Sequence, residues 1–252
     1  MSEDLSFDAL RWLEQLAQGA LAPRAEDIVA RAVTLFPGSL ALANSFGLED
    51  LVLQHMALPY KDRIQSFVLD TGRLPAETYD LIELWRLRFS IAFRMVSPDA
   101  AALEDFVSRE GPNAFYQSLE LRKHCCEIRK IEPLTRALSP HGAWLTGLRR
   151  EQSQARSTLE LAEKESSGRW KLNPLAHWSL EQIWDYVHTH QLPYNPLHDR
   201  GYPSIGCAPC TRAIEAGEDV RAGRWWWERD QHKECGLHTH ARKETTHAYP
   251  SP

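Results

Sequence analysis

Short apolar runs alternate with amphipathic helical segments along most of the chain, and this alternation limits the fold more than any other feature. Strands and helices that alternate in this way pack as right-handed crossovers on a parallel sheet with both faces covered. We therefore predict an α/β fold with a parallel, Rossmann-like sheet. The predicted strands are residues 39–44, 64–69, 90–96 and 143–146, and the predicted helices are residues 48–58, 74–89, 99–109 and 119–138.

The segments around this alternation divide the chain into three expected parts. Residues 1–36 predict two helices, residues 37–191 form the α/β domain, and residues 192–252 form an irregular segment rich in Pro, Gly and Cys. Within the domain, the polar residues 151–172 predict a loop or a short hairpin at the sheet edge. A Ser-x-x-Gln capping box that starts at Ser179 predicts the last helix.

The composition excludes several classes of protein. Apolar residues make up 43% of the 252 residues, which is ordinary for a globular chain. The 29 basic and 34 acidic side chains give a net charge of −5, so we expect no nucleic-acid partner. The sequence has no apolar run of about 18 residues and no basic start before an apolar core, so we expect no membrane contact and a cytoplasmic location. A homo-oligomer is left open.

Polar turns follow three of the predicted strands. Carboxyl ends of neighbouring parallel strands meet at one sheet edge, where backbone N–H groups and helix N-termini hold phosphates. None of these turns has the P-loop pattern, and each one alone is also compatible with an ordinary connection between strand and helix. The turn residues are Ser45 and Gly47 after the first strand, Asp70, Thr71 and Gly72 after the second, and Gly147, Arg149 and Arg150 after the fourth.

Two pairs of cysteines form the strongest local signal. Cys125 and Cys126 are adjacent on a predicted helix, and Cys207 and Cys210 enclose Ala-Pro in the irregular segment. Four thiolates can hold zinc or an iron–sulfur cluster, and adjacent cysteines suit two irons of a [4Fe–4S] cluster better than one tetrahedral zinc. The alternatives are an inert buried pair and a thioredoxin-type dithiol at Cys207 and Cys210.

The fifth cysteine, Cys235, stands apart in the sequence Lys-Glu-Cys-Gly-Leu-His. His232, Lys233 and His238 surround it, and nearby positive charge raises the thiolate fraction of a cysteine. This pattern is typical of a nucleophile on an accessible segment, and the plain alternative is an unpaired surface thiol.

Six cationic side chains are candidates for binding an anion, although most Lys and Arg side chains are simply solvated. Lys130 lies four residues beyond Cys126, so a helix would place both on one face. The other five are Arg149, Arg150, Arg156, Arg221 and Arg224. Three consecutive tryptophans, residues 225–227, cannot all face one core, so at least one of them is expected to cover a ligand or a partner.

Five elements together resemble the assimilatory adenylyl-sulfate reductases, within the family of phosphoadenylyl-sulfate and adenylyl-sulfate reductases. The resemblance extends from about residue 40 to residue 240, and the last element is the most specific. The four paired cysteines are typical of the adenylyl-sulfate enzymes, whereas most phosphoadenylyl-sulfate reductases lack them. The five elements are residues 45–50, 69–73, 125–126, 207–210 and 233–238.

The resemblance implies a chemistry and a fold. It implies an adenine nucleotide alpha-hydrolase-like domain that binds adenosine 5′-phosphosulfate, and one [4Fe–4S] cluster on Cys125, Cys126, Cys207 and Cys210 that is not the electron donor. It implies that Cys235 attacks the sulfur, that AMP leaves, and that reduced thioredoxin or glutaredoxin then frees sulfite. Such a reaction belongs to sulfate assimilation and cysteine biosynthesis.

The resemblance also assigns substrate-binding residues. Lys130, Arg221 and Arg224 match the phosphosulfate-binding positions, and Arg156 is favoured over Arg150 as a further one. His238 matches the histidine that follows the nucleophile. The expected nucleotide contacts are the turn residues Ser45, Gly47, Asp70, Thr71, Gly72 and Gly147.

Three other functions are weighed beside this one. The nearest is the same chemistry on phosphoadenylyl sulfate. A non-catalytic iron–sulfur sensor would keep the cluster and leave Cys235 without a role. An adenylating enzyme on the same fold would show a Gly-Gly-Lys-type turn, which residues 45–50 lack.

Overall fold

Six strands form a single sheet in the computed structural model, which describes residues 5–228 of the chain. In chain order the strands are β1 Leu40–Ala43, β2 Gln65–Leu69, β3 Arg94–Val96, β4 Ala143–Leu145, β5 Ala162–Lys164 and β6 Trp170–Leu172. Their order across the sheet is β3-β2-β1-β4-β6-β5, and only β5 runs antiparallel to its neighbour. The predicted parallel α/β fold is therefore confirmed, and the polar residues 151–172 contribute the predicted hairpin at the edge.

Helices cover both faces of this sheet. They are α1 Phe7–Ala17, α2 Ala25–Leu35, α3 Leu48–Ala57, α4 Ala76–Phe89, α5 Ala100–Glu110, α6 Leu119–Cys126, α7 Glu132–Leu138 and α8 Leu180–Thr189. Local sequence fixes several of their starts, because a polar side chain accepts a hydrogen bond from a free backbone N–H of the first turn. Ser6, Asp99, Ser118 and Ser179 act in this way, and Gln182 completes the predicted capping box.

Alternate residues of the strands enter two separate cores. Leu40 and Leu42 of β1 pack with α1, α2, α3 and α8, whereas Ala41 between them packs with Phe67, Trp144 and α7 on the opposite face. Such a division follows from the period of two in a strand. Because both faces are covered, the central strands are apolar throughout, and this is why they are readable as short apolar runs.

Two predicted elements differ from the structure. The third strand is limited to β3, because Ser90 adopts a left-handed conformation (φ 49°) at the end of α4 and residues 91–93 have no regular structure. The predicted helix over 119–138 is continuous in extent but contains a π-helical segment, Glu127–Ile131, between α6 and α7.

The part of the irregular segment that the structure describes, residues 192–228, packs against α4 and the turn after β2. Trp85 Nε1 donates to the carbonyl of Pro193 at 2.9 Å, and Ala208 N donates to the carbonyl of Arg73 at 2.8 Å. The segment thereby covers one end of the sheet. None of the helices within residues 5–228 combines the length and the hydropathy that crossing a bilayer requires. The cytoplasmic location stays a prediction.

Candidate active site

A cavity of about 380 Å³ lies beyond the carboxyl ends of β1, β2 and β4. Ser45 and Gly47 line it from the turn after β1, Thr71 from the turn after β2, and Gly147 from the turn after β4. Chain connections leave β1 and β4 toward opposite edges of the sheet, so this is the switch point at which open α/β sheets bind ligands. The three turns predicted from the sequence thus meet at one cavity, hereafter the sheet-end cavity.

The turn after β1 is held by a half-buried carboxylate. Asp50 accepts hydrogen bonds from the backbone N–H of Ser45 at 2.7 Å and from its hydroxyl at 2.5 Å. Burial raises the pKa of Asp50 to about 6, although these hydrogen bonds favour the charged form and lower it. Phe46, which follows Ser45, adopts a left-handed backbone conformation (φ 60°). Helix α3 then begins at Leu48, with its N-terminus at the cavity.

Gly147 allows the turns after β1 and β4 to touch. Its N–H donates to Asp50 Oδ1 at 3.0 Å. A Cβ at residue 147 would lie 2.3 Å from that oxygen and 2.9 Å from the backbone nitrogen of Asp50. No side chain fits in this space, so glycine is required for the shape of the cavity.

In the turn after β2, one residue lines the cavity and others stabilise the turn itself. Thr71 is buried and lines the sheet-end cavity, and its Oγ1 lies 3.4 Å from Cys207 Sγ. Asp70 accepts hydrogen bonds from Gly72 N at 2.9 Å and from the Tyr79 hydroxyl at 2.6 Å, which stabilises the turn. Asp70 and Gly72 do not line the cavity formed by the described residues, and their contact with a nucleotide stays a prediction.

Five of the six cationic candidates line the sheet-end cavity, and Arg150 does not; the five are Lys130, Arg149, Arg156, Arg221 and Arg224. Arg224 is the best defined of them, because it is only 7% exposed and donates to Ser204 Oγ and to the carbonyl of Ile205, both at 3.2 Å. Its Nε has no hydrogen-bond partner among residues 5–228. The cavity therefore has a cationic side that would offset the charge of a phosphosulfate group.

The two arginines that follow Gly147 have different partners. Arg149 is buried and donates to Glu49 Oε1 at 2.9 Å, so its charge is already paired within the cavity wall. Arg150 pairs with Glu160 at 2.8 Å and does not line the cavity. Arg156 lines the cavity, and its contact with the substrate stays a prediction.

A second cavity adjoins the first and is lined by all four paired cysteines. Each of the four is buried. Cys125 and Cys126 end α6, and Cys207 and Cys210 lie at a 3₁₀ turn of the C-terminal segment. Lys130, Cys207 and Trp225 line both cavities. The space enclosed by the four cysteines is named the cysteine cavity below.

Three thiols of the cysteine cavity have shifted pKa values, and the shifts differ in direction. Burial raises the pKa of Cys125, and burial together with the neighbouring Cys207 raises that of Cys210 to about 12. Burial also opposes ionisation of Cys207, but the charge of Lys130 and the hydrogen bond with Thr71 outweigh it and lower its pKa. Four thiolates in this buried space would therefore need further positive charge, which a bound metal group supplies.

The π-helical segment after Cys126 places two cations at this site. The backbone N–H of Glu132 donates to the carbonyl of Glu127, which lies five residues earlier. This longer hydrogen-bonded loop widens the turn that carries Arg129 and Lys130. Arg129 donates to the carbonyl of Thr71 at 2.6 Å and lines the cysteine cavity, and its buried Nε has no partner within residues 5–228. Single π turns inside α-helices are frequent at functional sites.

In the part of the chain that the structure describes, no group of three or more His, Cys, Asp or Glu side chains is arranged to hold a metal ion. The four cysteines line one cavity, and their role as ligands of an iron–sulfur cluster is taken up under the proposed function. Cys235 and His238 lie outside the described residues.

Sequence reasoning missed three residues that shape the site. Asp50 lies within a recognised motif, but its role depends on contact with Gly147, which is distant in sequence. A Cβ on Gly206 would lie 2.3 Å from Arg224 Nη2, so glycine makes room for that guanidinium. Arg129 is adjacent to the predicted Lys130, and only the π turn shows that both reach the cysteine cavity.

Comparison with known proteins assigns the family. The model of the phosphoadenosine phosphosulfate reductase domain matches residues 39–213, which is more than half of the chain. This chain belongs to that family. The family resemblance stated from the sequence motifs is therefore confirmed.

Individual family members agree with this assignment. The chain is 50% identical over 214 residues to the adenosine 5′-phosphosulfate reductase of Allochromatium vinosum, covering 84% of this chain and 82% of that protein. It is 52% identical over 197 residues to the adenosine 5′-phosphosulfate reductase of Burkholderia cepacia, covering 78% and 79%. The crystal structure of the phosphoadenylyl-sulfate reductase from Candida auris has a TM-score of 0.68 at 29% identity, covering 85% of this chain and all of that one.

Proposed function

We propose that this protein reduces adenosine 5′-phosphosulfate to sulfite and AMP as a step of sulfate assimilation. The observation that carries the proposal is the junction of the two cavities. Lys130 lies between a nucleotide-sized cavity at the sheet switch point and four buried cysteines, in a chain that shares about half of its aligned residues with adenosine 5′-phosphosulfate reductases.

Substrate binding is assigned to the sheet-end cavity. The backbone of the turn at Ser45 and Gly47, together with the N-terminus of α3, suits the phosphate side of the nucleotide. Lys130, Arg221 and Arg224 then hold the sulfate and phosphate oxygens. This arrangement offsets the repulsion between an incoming thiolate and the anionic oxygens, and it stabilises AMP as it leaves.

Cys235 is the proposed nucleophile. Its thiolate attacks the sulfonate sulfur, so that an S–S bond forms, the S–O bond to the phosphate breaks, and AMP leaves with the bonding pair. A thiolate of reduced thioredoxin or glutaredoxin then attacks Cys235 Sγ, and sulfite leaves with the electron pair. The second thiol of the donor resolves the mixed disulfide, so the donor dithiol supplies both electrons.

The cysteine cavity is proposed to hold one [4Fe–4S] cluster. Cys125, Cys126, Cys207 and Cys210 would be its ligands, and the buried Nε of Arg129 would gain a hydrogen-bond acceptor. When bound, the cluster would ionise the four thiols and set the electric field at Lys130, and it would not supply electrons. An anaerobic absorption spectrum with iron and sulfide analysis tests this: about four irons per chain support the proposal, and one zinc without visible absorption contradicts it.

The substrate assignment is tested with two nucleotides and one variant. We expect Cys235→Ser to abolish sulfite release, and sulfite production by that variant would contradict the proposal. We expect kcat/KM to be at least about tenfold lower with phosphoadenylyl sulfate, because the relatives that share about half of their aligned residues with this chain are adenosine 5′-phosphosulfate reductases. The opposite order would favour that alternative substrate.

A further inference from the structure

The three consecutive tryptophans, residues 225–227, occupy three different environments. Trp225 is 1% exposed, and the guanidinium carbons of Arg122 and Arg224 lie 4.7 and 4.8 Å from its ring centre. Trp227 packs edge-on against Tyr116, with ring centres 4.4 Å apart. Trp226 is 48% exposed. The sequence-based expectation that one tryptophan is free to cover a ligand or partner therefore falls on Trp226.

Trp226, Trp227 and Tyr116 together form a surface that we name the aromatic patch. Trp226 lies 5.6 Å from Trp227 and 6.5 Å from Tyr116, measured between ring centres, and Tyr116 is itself 41% exposed. The patch is held in place, because the Tyr116 hydroxyl donates to the carbonyl of Pro209 at 2.7 Å. Adjacent exposed aromatic rings on a fixed support are typical of a surface that another protein covers.

The position of the patch identifies what covers it. Glu228 follows directly and accepts two hydrogen bonds from Arg122, at 2.7 and 2.9 Å, in an ion pair that is 9% and 3% exposed. Cys235 is seven residues beyond Glu228 in the sequence, and an extended chain of that length spans at most about 25 Å. Any protein that reacts with Cys235 must therefore approach within that distance of the patch.

We propose that the aromatic patch is the docking surface for the dithiol protein that reduces the sulfonated Cys235. This proposal rests on the proposed function, because it takes the reaction that the donor completes from it. The donor thiolate forms a bond to Cys235 Sγ, the bond from Cys235 to the sulfonate breaks, and sulfite leaves with the electron pair. An apolar contact beside the reacting sulfurs would hold the donor in place, and the patch offers such a contact close in sequence to Cys235.

The experiment compares Trp226→Ala with Phe7→Ala, which removes an aromatic ring that is 78% exposed on α1. Steady-state assays vary reduced thioredoxin at saturating nucleotide. We expect Trp226→Ala to raise the KM for thioredoxin at least tenfold and to leave kcat unchanged, as for the loss of a tryptophan anchor from an interface. Phe7→Ala should match the wild type, and Trp226→Phe should recover most of the affinity.

Two further readings separate this proposal from its competitors and from the proposed function. Formation of the Cys235 adduct without donor, and sulfite release by dithiothreitol, should be equal in Trp226→Ala and the wild type. An unchanged KM for thioredoxin would overturn the proposal. So would slower adduct formation, which would assign the patch to the enzyme's own tail, or a changed oligomeric state in light scattering, which would assign it to a second copy. Absence of the adduct from the wild type would instead contradict the proposed function itself.

Discussion

The sheet-end cavity and the cysteine cavity adjoin each other but are built on different principles. The first is formed by short turns at strand ends, so sheet topology brings its residues together. The second needs the C-terminal segment to dock on α6, because Cys126 and Cys207 come from separate parts of the chain. Polar turns and cationic side chains line one, and buried thiols with aromatic neighbours line the other.

Despite this difference, each cavity has a buried aromatic residue beside it in a left-handed backbone conformation. Phe46 (φ 60°) follows Ser45, and Trp225 (φ 44°) follows Arg224. This conformation is unfavourable for bulky side chains, and it persists only where packing fixes it. Packing therefore fixes the backbone at one residue beside each site, and Lys130, Cys207 and Trp225 line both cavities. The following predictions ask how separable the two cavities are.

The largest effect is expected from removing one cysteine ligand. Cys210→Ser should reduce bound iron to near zero, because the remaining three ligands are buried thiols that no longer complete the site. AMP binding should change less than about threefold, because Cys210 does not line the sheet-end cavity. Iron analysis and calorimetric titration with AMP measure the two quantities, and parallel loss of both would show that the cavities form one cooperative unit.

Gly147→Ala should damage the sheet-end cavity alone. The new Cβ overlaps Asp50 Oδ1, so the turns must separate, at a cost of about 1–3 kcal/mol in the free energy of unfolding and at least tenfold in AMP affinity. Gly47→Ala is the matched control for stability, because its Cβ meets no atom closer than 3.4 Å. Iron content should remain that of the wild type. Urea unfolding measures the free energy of unfolding, and calorimetric titration measures the affinity for AMP. Equal stability of the two variants would refute this role of Gly147.

Replacing a cation that lines both cavities should change the properties of both, whereas replacing a cation that lines one cavity should change the properties of that cavity only. Lys130→Ala is expected to raise the KM for adenosine 5′-phosphosulfate roughly tenfold or more and to alter the visible spectrum of the iron-loaded protein. Arg156→Ala should raise KM to a similar extent and leave the spectrum unchanged, because Arg156 lines only the sheet-end cavity. A spectral change in Arg156→Ala, or no spectral change in Lys130→Ala, would contradict the claim that Lys130 acts in both cavities.

The smallest effect concerns the pH dependence of stability. Burial raises the pKa of Asp50 from 3.8 to about 6, so between about pH 4 and pH 6 the folded protein retains a proton that the unfolded chain has released. This group therefore makes the free energy of unfolding fall as pH rises through that window. Asp50→Asn removes the titration. The unfolding midpoint of the wild type should decline more steeply from pH 4 to pH 6 than that of the variant, and identical slopes would contradict the raised pKa.

Sequence reasoning succeeds where local pattern and topology decide the outcome. Apolar runs locate β1, β2 and β4, and the rule that parallel strands end at one edge is enough to bring Ser45, Thr71 and Gly147 together. The four paired cysteines are recognisable by type and spacing alone. These features depend on neighbours in sequence or on a general rule of sheet architecture.

The remaining features depend on pairs that are distant in sequence. Arg149 with Glu49 and Arg122 with Glu228 are each joined by a buried ion pair across about a hundred residues, and periodicity contains no information on such contacts. The π turn beside Lys130 has a partial local cause, because Pro133 lacks the N–H that an ordinary α-helix would bond to the carbonyl of Arg129. The need for glycine at residue 206 is visible only once the position of the Arg224 guanidinium is known.

The role of Cys235 is tested most directly by mass spectrometry of the iron-loaded protein after anaerobic mixing with adenosine 5′-phosphosulfate in the absence of reductant. We expect a mass increase of one sulfo group, mapped to Cys235 and removed by reduced thioredoxin together with sulfite release. A sulfo group on any other residue, or no mass increase while AMP is still released, would contradict the claim that Cys235 takes the sulfonate from the nucleotide.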